Sequence, residues 1–223
     1  MVEKESKIET FKSKVYGRIK DNNLFDDSEF ISQMEEVKIK EVKIFTEGKY
    51  FKGIQVFYLH GGQSVTSGHH VCETDKIEYK EDSIVLEDDE YITAVTIGSM
   101  GEIVYIKLST NTGRSLESPG LDLLCKKVNV ETVLGEQVIA FSGGYCNFDG
   151  KLVNDGFISH IAVHLGVLPK YLMEKYGIKE VEKRQLVVNE IDDSPRSGSV
   201  CSLSPPSSPK PRLRKPSFVR KLS

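Results

Sequence analysis

The chain has 223 residues, of which 39% are hydrophobic and 28% are charged, and its formal net charge is −3. This length accommodates one domain of ordinary size with terminal extensions, and the composition is that of a globular protein with one core. No apolar run approaches the roughly 18–20 residues that a membrane-spanning helix needs, and the charged start of the chain lacks the apolar segment of a secretory signal. We therefore expect a cytoplasmic protein without a signal peptide or a transmembrane segment.

The first 23 residues form a polar N-terminal extension in which lysine alternates with glutamate. Its apolar residues Ile8, Phe11 and Val15 fit either a short amphipathic helix or an added edge strand. The sequence leaves both alternatives open.

Six apolar runs rich in β-branched and aromatic residues follow, a composition typical of β-strands. They fall into three pairs: 41–46 with 50–59, 91–97 with the run that starts at 103, and 137–141 with 157–165. If Ile54, Ile106 and Ile161 are equivalent, the pairs recur after 52 and 55 residues. This spacing predicts three copies of one β unit around a common axis.

The segments between these pairs are less regular. Residues 60–75 are predicted to be a polar loop, and residues 76–80 and 83–86 a strand pair around Glu81 and Asp82. Residues 121–134 carry no clear periodic pattern. After the last pair, Pro169 to Gly177 predicts a short helix, with proline at its first position and glycine past its end. Its inward-facing residues would be Val167, Leu168, Leu172 and Tyr176.

The composition changes at Ser194. Residues 194–223 hold six of the eight prolines and seven of the 30 basic residues but no acidic residue, so the rest of the chain carries 23 basic against 33 acidic residues, a net charge of −10. Such a segment cannot form a packed core and is predicted to be a disordered basic tail. Its charge favours a protein partner or an anionic membrane surface, with an inert tail as the alternative. Phosphorylation is predicted at the proline-directed or basophilic sites Ser194, Ser204, Ser208, Ser217 and Ser223.

Four stretches carry a family resemblance through their order and spacing. They read GKYFKGIQVFY, IVLEDDEYITAVTIGSMGEIVYIKLSTNTGRS, VIAFSGGYCN and FISHIAVHLG. Together they resemble the jacalin-related lectin domain (the mannose-binding or jacalin type) over residues 24–166. The resemblance implies an all-β fold, the β-prism I, with three four-stranded Greek-key sheets about a pseudo-three-fold axis. The predicted domains are then 1–23, the lectin-like domain at 24–166, an extension at 167–193 with the helix and a further strand at 185–188, and the tail at 194–223.

The resemblance also implies a sugar site in a Gly-x-x-x-Asp loop before the last strand, where a carboxylate accepts hydrogen bonds from two hydroxyls. This chain departs from that pattern, because Ser159 stands at the aspartate position and the loop is longer. Asp149 or Asp155 would replace the carboxylate and Tyr145 would stack on the sugar, unless both aspartates only form turns with the glycines that follow them. The predicted carbohydrate-binding residues are Gly143, Gly144, Tyr145, Asp149, Asp155 and Ser159. A second departure is Asp21-Asn22-Asn23, which replaces the glycine pair at the domain entry.

No catalytic motif, phosphate-binding loop or dinucleotide fingerprint occurs in the sequence. Asp88-Asp89-Glu90 is interpreted as a solvated turn, and His69-His70-x-Cys72 as a polar loop rather than a zinc site. We expect a protein that is not an enzyme, with no cofactor, no metal and no nucleic-acid partner. The predicted partner is a glycan of mannose or galactose type. The alternative is a protein-interaction module that has lost sugar binding, and homo-oligomer formation stays open.

Overall fold

The computed structural model describes residues 10–19, 23–34, 36–71, 78–120, 125–146 and 156–181. Three antiparallel β-sheets account for most of this part of the chain. In spatial order, sheet I contains β6 (Gln63–Val71), β5 (Tyr50–His60), β4 (Ile39–Glu47) and β7 (Lys80–Val85). Sheet II contains β10 (Ser115–Glu117), β9 (Ile103–Thr110), β8 (Ile92–Ser99) and β11 (Lys126–Glu131). Sheet III contains β1 (Thr10–Lys12) and β2 (Tyr16–Gly17), followed by β13 (Phe157–Val167), β12 (Glu136–Cys146) and β3 (Asn23–Asp26).

The three sheets repeat one arrangement, which confirms the predicted β-prism. In each sheet, a central hairpin is flanked by two edge strands, and the second hairpin strand is β5, β9 or β13. These three strands contact one another, and Ile54, Ile106 and Ile161 on them are fully buried. Side chains from all three sheets form one hydrophobic core on the common axis. Each sheet thus buries its inner face against the other two, which no sheet can do alone.

The N-terminal segment forms strands rather than a helix. Both β1 and β2 pair with the outer edge of β13, with Thr10 opposite Gly166 and Gly17 opposite His160. Between them, the Ser13 amide donates to the Val163 carbonyl oxygen at 2.9 Å. The two short strands therefore act as one interrupted edge strand of sheet III.

The sequence prediction missed edge strands. The predicted loop at 60–75 contains β6, and the irregular stretch at 121–134 contains β11. The described part of the pair predicted around Glu81 and Asp82 is instead the single strand β7, with both residues inside it. These strands expose one face to solvent, so their apolar positions are too few to give a clear alternation.

Two short helices occur in the described residues, α1 (Asp27–Ile31) and α2 (Lys170–Lys175). The second confirms the predicted helix: it begins after Pro169, and Gly177 follows it with φ +66°. Of the four residues predicted to face inward, Leu168 and Leu172 are buried, whereas Val167 and Tyr176 are substantially exposed. No helix in the described chain is long and apolar enough to cross a membrane. The strand predicted at 185–188 and the tail lie outside the described residues.

The turn that follows β9 is held by a buried carboxylate. Glu90 is fully buried and accepts hydrogen bonds from the hydroxyls of Thr110 at 2.7 Å and Thr112 at 2.6 Å. The Arg114 guanidinium donates to its other oxygen at 2.7 Å. Burial alone would raise the pKa of Glu90. The hydrogen bonds from the two threonines, a backbone hydrogen bond from its own loop and the Arg114 charge together hold this pKa below its ordinary value. The Asp88–Glu90 segment, which was predicted to be a solvated turn, therefore contains one buried charge, and this charge has a structural role.

Candidate functional site

The predicted sugar-binding glycines lie in a strand and not in a loop, which corrects the sequence prediction. Strand β12 continues to Cys146, so Gly143, Gly144 and Tyr145 are part of sheet III. On one side they pair with β13, and on the other side Gly144 lies opposite Leu24 and Tyr145 opposite Asn23. Because glycine is typical of turns, the sequence alone predicts a loop at these two adjacent glycines.

Close packing explains the two glycines. A Cβ atom on Gly143 would lie 2.3 Å from the carbonyl oxygen of His160, and one on Gly144 would lie 2.7 Å from Cε1 of the same histidine. Neither glycine has a positive φ. The absence of a side chain therefore serves close approach between β12 and β13, a use of glycine that strands share with turns.

Ser159 occupies the position at which the resemblance implies an aspartate. Its side chain is fully buried, and its hydroxyl donates to the carbonyl oxygen of Gly144 at 2.9 Å. The same hydroxyl lies 3.0 Å from Nδ1 of His160. The hydrogen bond to Gly144 ties β13 to β12 at the register shift between Gly144 and Tyr145. In this arrangement, the Ser159 hydroxyl stabilises the sheet and is not exposed to a ligand.

The predicted carboxylates, Asp149 and Asp155, lie outside the described residues. The described chain leaves β12 at Cys146 and resumes at Gly156, and Cys146 pairs with Phe157. The segment that carries both aspartates is therefore attached at the end of sheet III where Tyr145 pairs with Asn23. Tyr145 is half-buried and packs against the core from this end. The structure thus brings together the attachment points of the predicted site.

A polar groove runs across the outer face of sheet III, next to this end. Its lining includes Lys12 of β1, His160 of β13, Ser142 of β12 and Asp26 of β3, so the groove crosses the whole width of the sheet. Asp26 caps α1 by accepting from the Ser28 amide at 2.9 Å, and it lies 3.7 Å from the ammonium of Lys12. The groove therefore contains both charges, in contact across the sheet.

Two histidines of β13 line or border this groove. Burial lowers the pKa of His160, and the nearby Lys12 charge lowers it further. Burial also lowers the pKa of His164 and outweighs the carboxylate of Asp26, which lies 3.8 Å away. His164 Nε2 is 2.8 Å from the Ser142 hydroxyl. Burial therefore favours the neutral form of both histidines, and their ring nitrogens lie within hydrogen-bonding distance of the Ser159 and Ser142 hydroxyls.

Sequence reasoning missed a buried polar cluster behind β3. Asp27 is fully buried and accepts hydrogen bonds from Ser67 at 2.5 Å, from Tyr58 at 3.2 Å and from Nε2 of His70 at 2.7 Å. The Phe25-Asp26-Asp27 stretch at the domain entry is the part of the sequence that could have indicated this cluster, since its second aspartate faces inward. Within the described ranges, no three His, Cys, Asp or Glu side chains are grouped so that they could hold a metal ion.

Comparison with known protein families gives one match. The model of the "Jacalin-like lectin domain" family matches residues 13–150, which is more than half of the chain. The chain belongs to the jacalin-like lectin domain family. No curated protein matches it significantly.

Solved structures of jacalin-related lectins share the fold. The mannose-binding lectin from champedak has a TM-score of 0.53 and 18% identity, over 71% of this chain and 97% of that one. A mannose-specific jacalin-related lectin from Morus nigra has a TM-score of 0.55 and 17% identity, over 74% of this chain and 99% of that one. Malaysian banana lectin has a TM-score of 0.52 and 20% identity, over 71% and 99%. At these identities, the likeness shows the fold alone.

Proposed function

We propose that this protein is a non-catalytic, lectin-like glycan-binding protein whose site is the end of sheet III. The observation that carries the proposal is the pairing of Tyr145 with Asn23 and of Cys146 with Phe157. These pairs put an aromatic ring beside the attachment points of the segment that carries Asp149 and Asp155. Membership of a lectin family and the mannose ligands in the names of similar structures support a sugar as the ligand.

The proposed binding chemistry needs two kinds of group. An ionised carboxylate accepts hydrogen bonds from neighbouring sugar hydroxyls, and an aromatic ring packs against the apolar face of the sugar. Asp149 or Asp155 supplies the first in this proposal, and Tyr145 supplies the second. Gly143 and Gly144 set the spacing between β12 and β13, and Ser159 fixes that spacing by its bond to Gly144.

Calorimetric titration with mannose and with galactose tests the proposal. We expect one of the two sugars to bind in the millimolar range or better, and we expect either Asp149→Asn or Asp155→Asn to weaken that binding at least about tenfold. This magnitude follows from the roughly 1.5–3 kcal/mol of hydrogen bonds to charged groups. Asp82→Asn, on sheet I, is the matched control. Absence of binding to both sugars at millimolar concentration would contradict the proposal.

A second candidate function is a protein-interaction module regulated through the tail. Burial of Ser159 at the position of the family's aspartate favours it, as does the opposite charge of the tail and the rest of the chain. In this alternative, phosphorylation at Ser194, Ser204, Ser208, Ser217 or Ser223 changes the affinity for a protein or an anionic membrane. Affinity capture with the full chain and with residues 1–193, together with mass spectrometry of Ser217, tests it. An identical set of captured partners would count against a role of the tail.

A further inference from the structure

The strand β1 is a short and exposed edge of sheet III. All three of its residues are exposed, and they pair with residues 164–166 of β13. Next to this ladder, the Ser13 amide donates to the Val163 carbonyl oxygen, and the Val163 amide donates to the Ser13 hydroxyl, both at 2.9 Å. The neighbouring β2 is anchored more firmly, because Tyr16 packs against the hydrophobic core. Short exposed strands open at a low free-energy cost, so β1 can separate from β13 while β2 stays in place.

The side chain of Lys12 crosses the outer face of sheet III. Its backbone pairs with His164, whereas its ammonium lies 3.7 Å from a carboxylate oxygen of Asp26 on β3, the opposite edge of the sheet. The Lys12 side chain is 47% exposed. Such an exposed ion pair adds little to stability, so a small change in the nearby charges can break it.

A buried base lies next to this ion pair. The side chain of His164 is 5% exposed, and its Nε2 lies 3.8 Å from the other carboxylate oxygen of Asp26. From β12, the Ser142 hydroxyl lies 2.8 Å from the same nitrogen. When His164 takes up a proton, its imidazolium therefore becomes a second cation beside the carboxylate that Lys12 already uses.

His160 is a second buried base on the same face of β13. The hydroxyl proton of Ser159 is donated to the Gly144 carbonyl oxygen, so the 3.0 Å contact between this hydroxyl and His160 requires Nδ1–H of the histidine to donate. Nε2 of His160 is then the nitrogen that takes up a proton. Since residues two apart on a strand share a face, positions 160 and 164 lie on the side that Lys12 crosses.

Charged side chains surround the two histidines. Burial lowers the pKa of both, and the Lys12 ammonium lowers both further. The carboxylates of Asp26 on β3 and Asp27 on α1 act in the opposite direction on His164 and do not offset burial. Glu29 of α1 also lines the groove. The closed sheet therefore favours the neutral form of both imidazoles.

We propose that acidification releases β1 from sheet III, because protonation of His160 and His164 places two further positive charges beside Lys12. The buried imidazolium of His164 cannot leave and takes over the Asp26 carboxylate. The exposed ammonium of Lys12 moves away together with the short strand that carries it. This device goes beyond the proposed function and does not depend on a glycan.

The direction of the effect follows from proton linkage. A histidine released from burial titrates near its ordinary pKa of about 6.5, above its value in the closed sheet, so protons favour the open form. The stabilisation of the closed form is present above about pH 6.5 and decreases as the pH falls below it. A histidine that stays neutral while β1 is closed raises the open population about tenfold between about pH 7.5 and pH 5.5. The edge of β13 is then free to pair with another strand.

Hydrogen exchange measured by NMR on the full chain tests this release. The protection factor of the Ser13 amide, corrected for the pH dependence of chemical exchange, should fall at least about tenfold from pH 7.5 to pH 5.5. That of the Ile106 amide, in the fully buried part of β9, should stay constant. The double variant His160→Gln/His164→Gln should reduce the fall at Ser13 to less than about twofold.

Two further variants make the test specific. Lys12→Met keeps the aliphatic stem without the ammonium, and it should reduce the fall at Ser13 to less than about threefold. His60→Gln, at an exposed histidine at the end of β5, is the matched control and should behave as the wild type.

Several results would overturn the proposal. A protection factor of Ser13 that does not change with pH would exclude the release of β1, and parallel falls at Ser13 and Ile106 would show global acid unfolding instead. An unchanged fall in Lys12→Met or in the double histidine variant would exclude these charges as its cause. If the double variant is unfolded at pH 7.5, as judged by its melting temperature, Lys12→Met decides the outcome.

Discussion

At the scale of single residues, the two glycines of β12 illustrate how one residue type serves two structural purposes. The sequence predicts Gly143 and Gly144 as loop residues, because glycine is a turn former. Their positions in a strand depend on close packing against His160 of β13, which lies 16–17 residues further along the chain. A close approach between distant segments leaves no local pattern, so the sequence alone could not reveal it.

We expect Gly143→Ala to destabilise the protein more than Gly144→Ala. The added methyl group at Gly143 meets a backbone carbonyl oxygen that the sheet holds in place, whereas at Gly144 it meets the side chain of His160, which can rotate. Overpacking of this kind costs about 1–3 kcal/mol, and Gly143→Ala should lie at the upper end. Urea unfolding of both variants measures the difference. Equal losses of unfolding free energy would show that the carbonyl contact is relieved by movement of β13.

At the scale of elements, burial decides which strands the sequence could predict. The hairpin strands β4, β5, β8, β9, β12 and β13 are buried along half or more of their length, and all six were predicted. The edge strands β6 and β11 were missed, because their exposed faces carry serine, threonine, lysine or asparagine and imitate loops. The sequence predicted a candidate site just before the last strand, next to the residues that form the end of β12. It did not predict that the carboxylate of the neighbouring Asp27 is buried.

The turn after β9 provides an element-scale prediction of pH dependence. The pKa of Glu90 is lowered in the folded state, so its contribution to stability is fully present above the unfolded pKa of about 4.3 and is lost as the pH falls through the lower, folded value. Glu90→Gln should lower the free energy of unfolding by about 1.5–3 kcal/mol at pH 7. The difference from wild type should shrink below about pH 4.

Urea unfolding of wild type and Glu90→Gln between pH 2 and pH 7 measures this difference. Glu78→Gln, at an exposed position before β7, is the control and should follow the wild-type curve. A difference that stays constant down to pH 2 would mean that the packing of the substituted amide side chain, and not the loss of the ionised carboxylate, determines the destabilisation.

At the scale of the whole molecule, the three sheets differ in how far apart their strands lie in sequence. Sheets I and II are each built from four consecutive strands, whereas sheet III combines residues 10–26 with residues 136–167. Closing sheet III therefore brings together segments more than 100 residues apart, which has a larger cost in chain entropy. In our proposal the glycan site lies at the end of this sheet, so we expect it to be complete only when both parts of the chain have folded.

Removing residues 1–18 should expose the outer edge of β13. We expect a loss of more than about 2 kcal/mol, which corresponds to a melting temperature lower by about 4–8 °C for a chain of this size. The unpaired edge should also promote self-association, as open strand edges do. Calorimetry and light scattering measure the two effects. Removal of residues 1–9, which retains both β1 and β2, is the control, and equal behaviour of the two truncations would contradict the edge-strand role.

The pairing of Thr10 with Gly166 has a consequence for the connectivity of the prism. It places the beginning and the end of the sheet architecture side by side, so a short covalent linker can join them without crossing the molecule. New termini could then be opened at the exposed turn of Met100 and Gly101, where an added Cβ on Gly101 would meet no neighbouring atom within 4 Å. Such a circular permutant would make sheet III contiguous, leave sheet I contiguous and split sheet II. It would show whether the order of the three units along the chain matters to the fold.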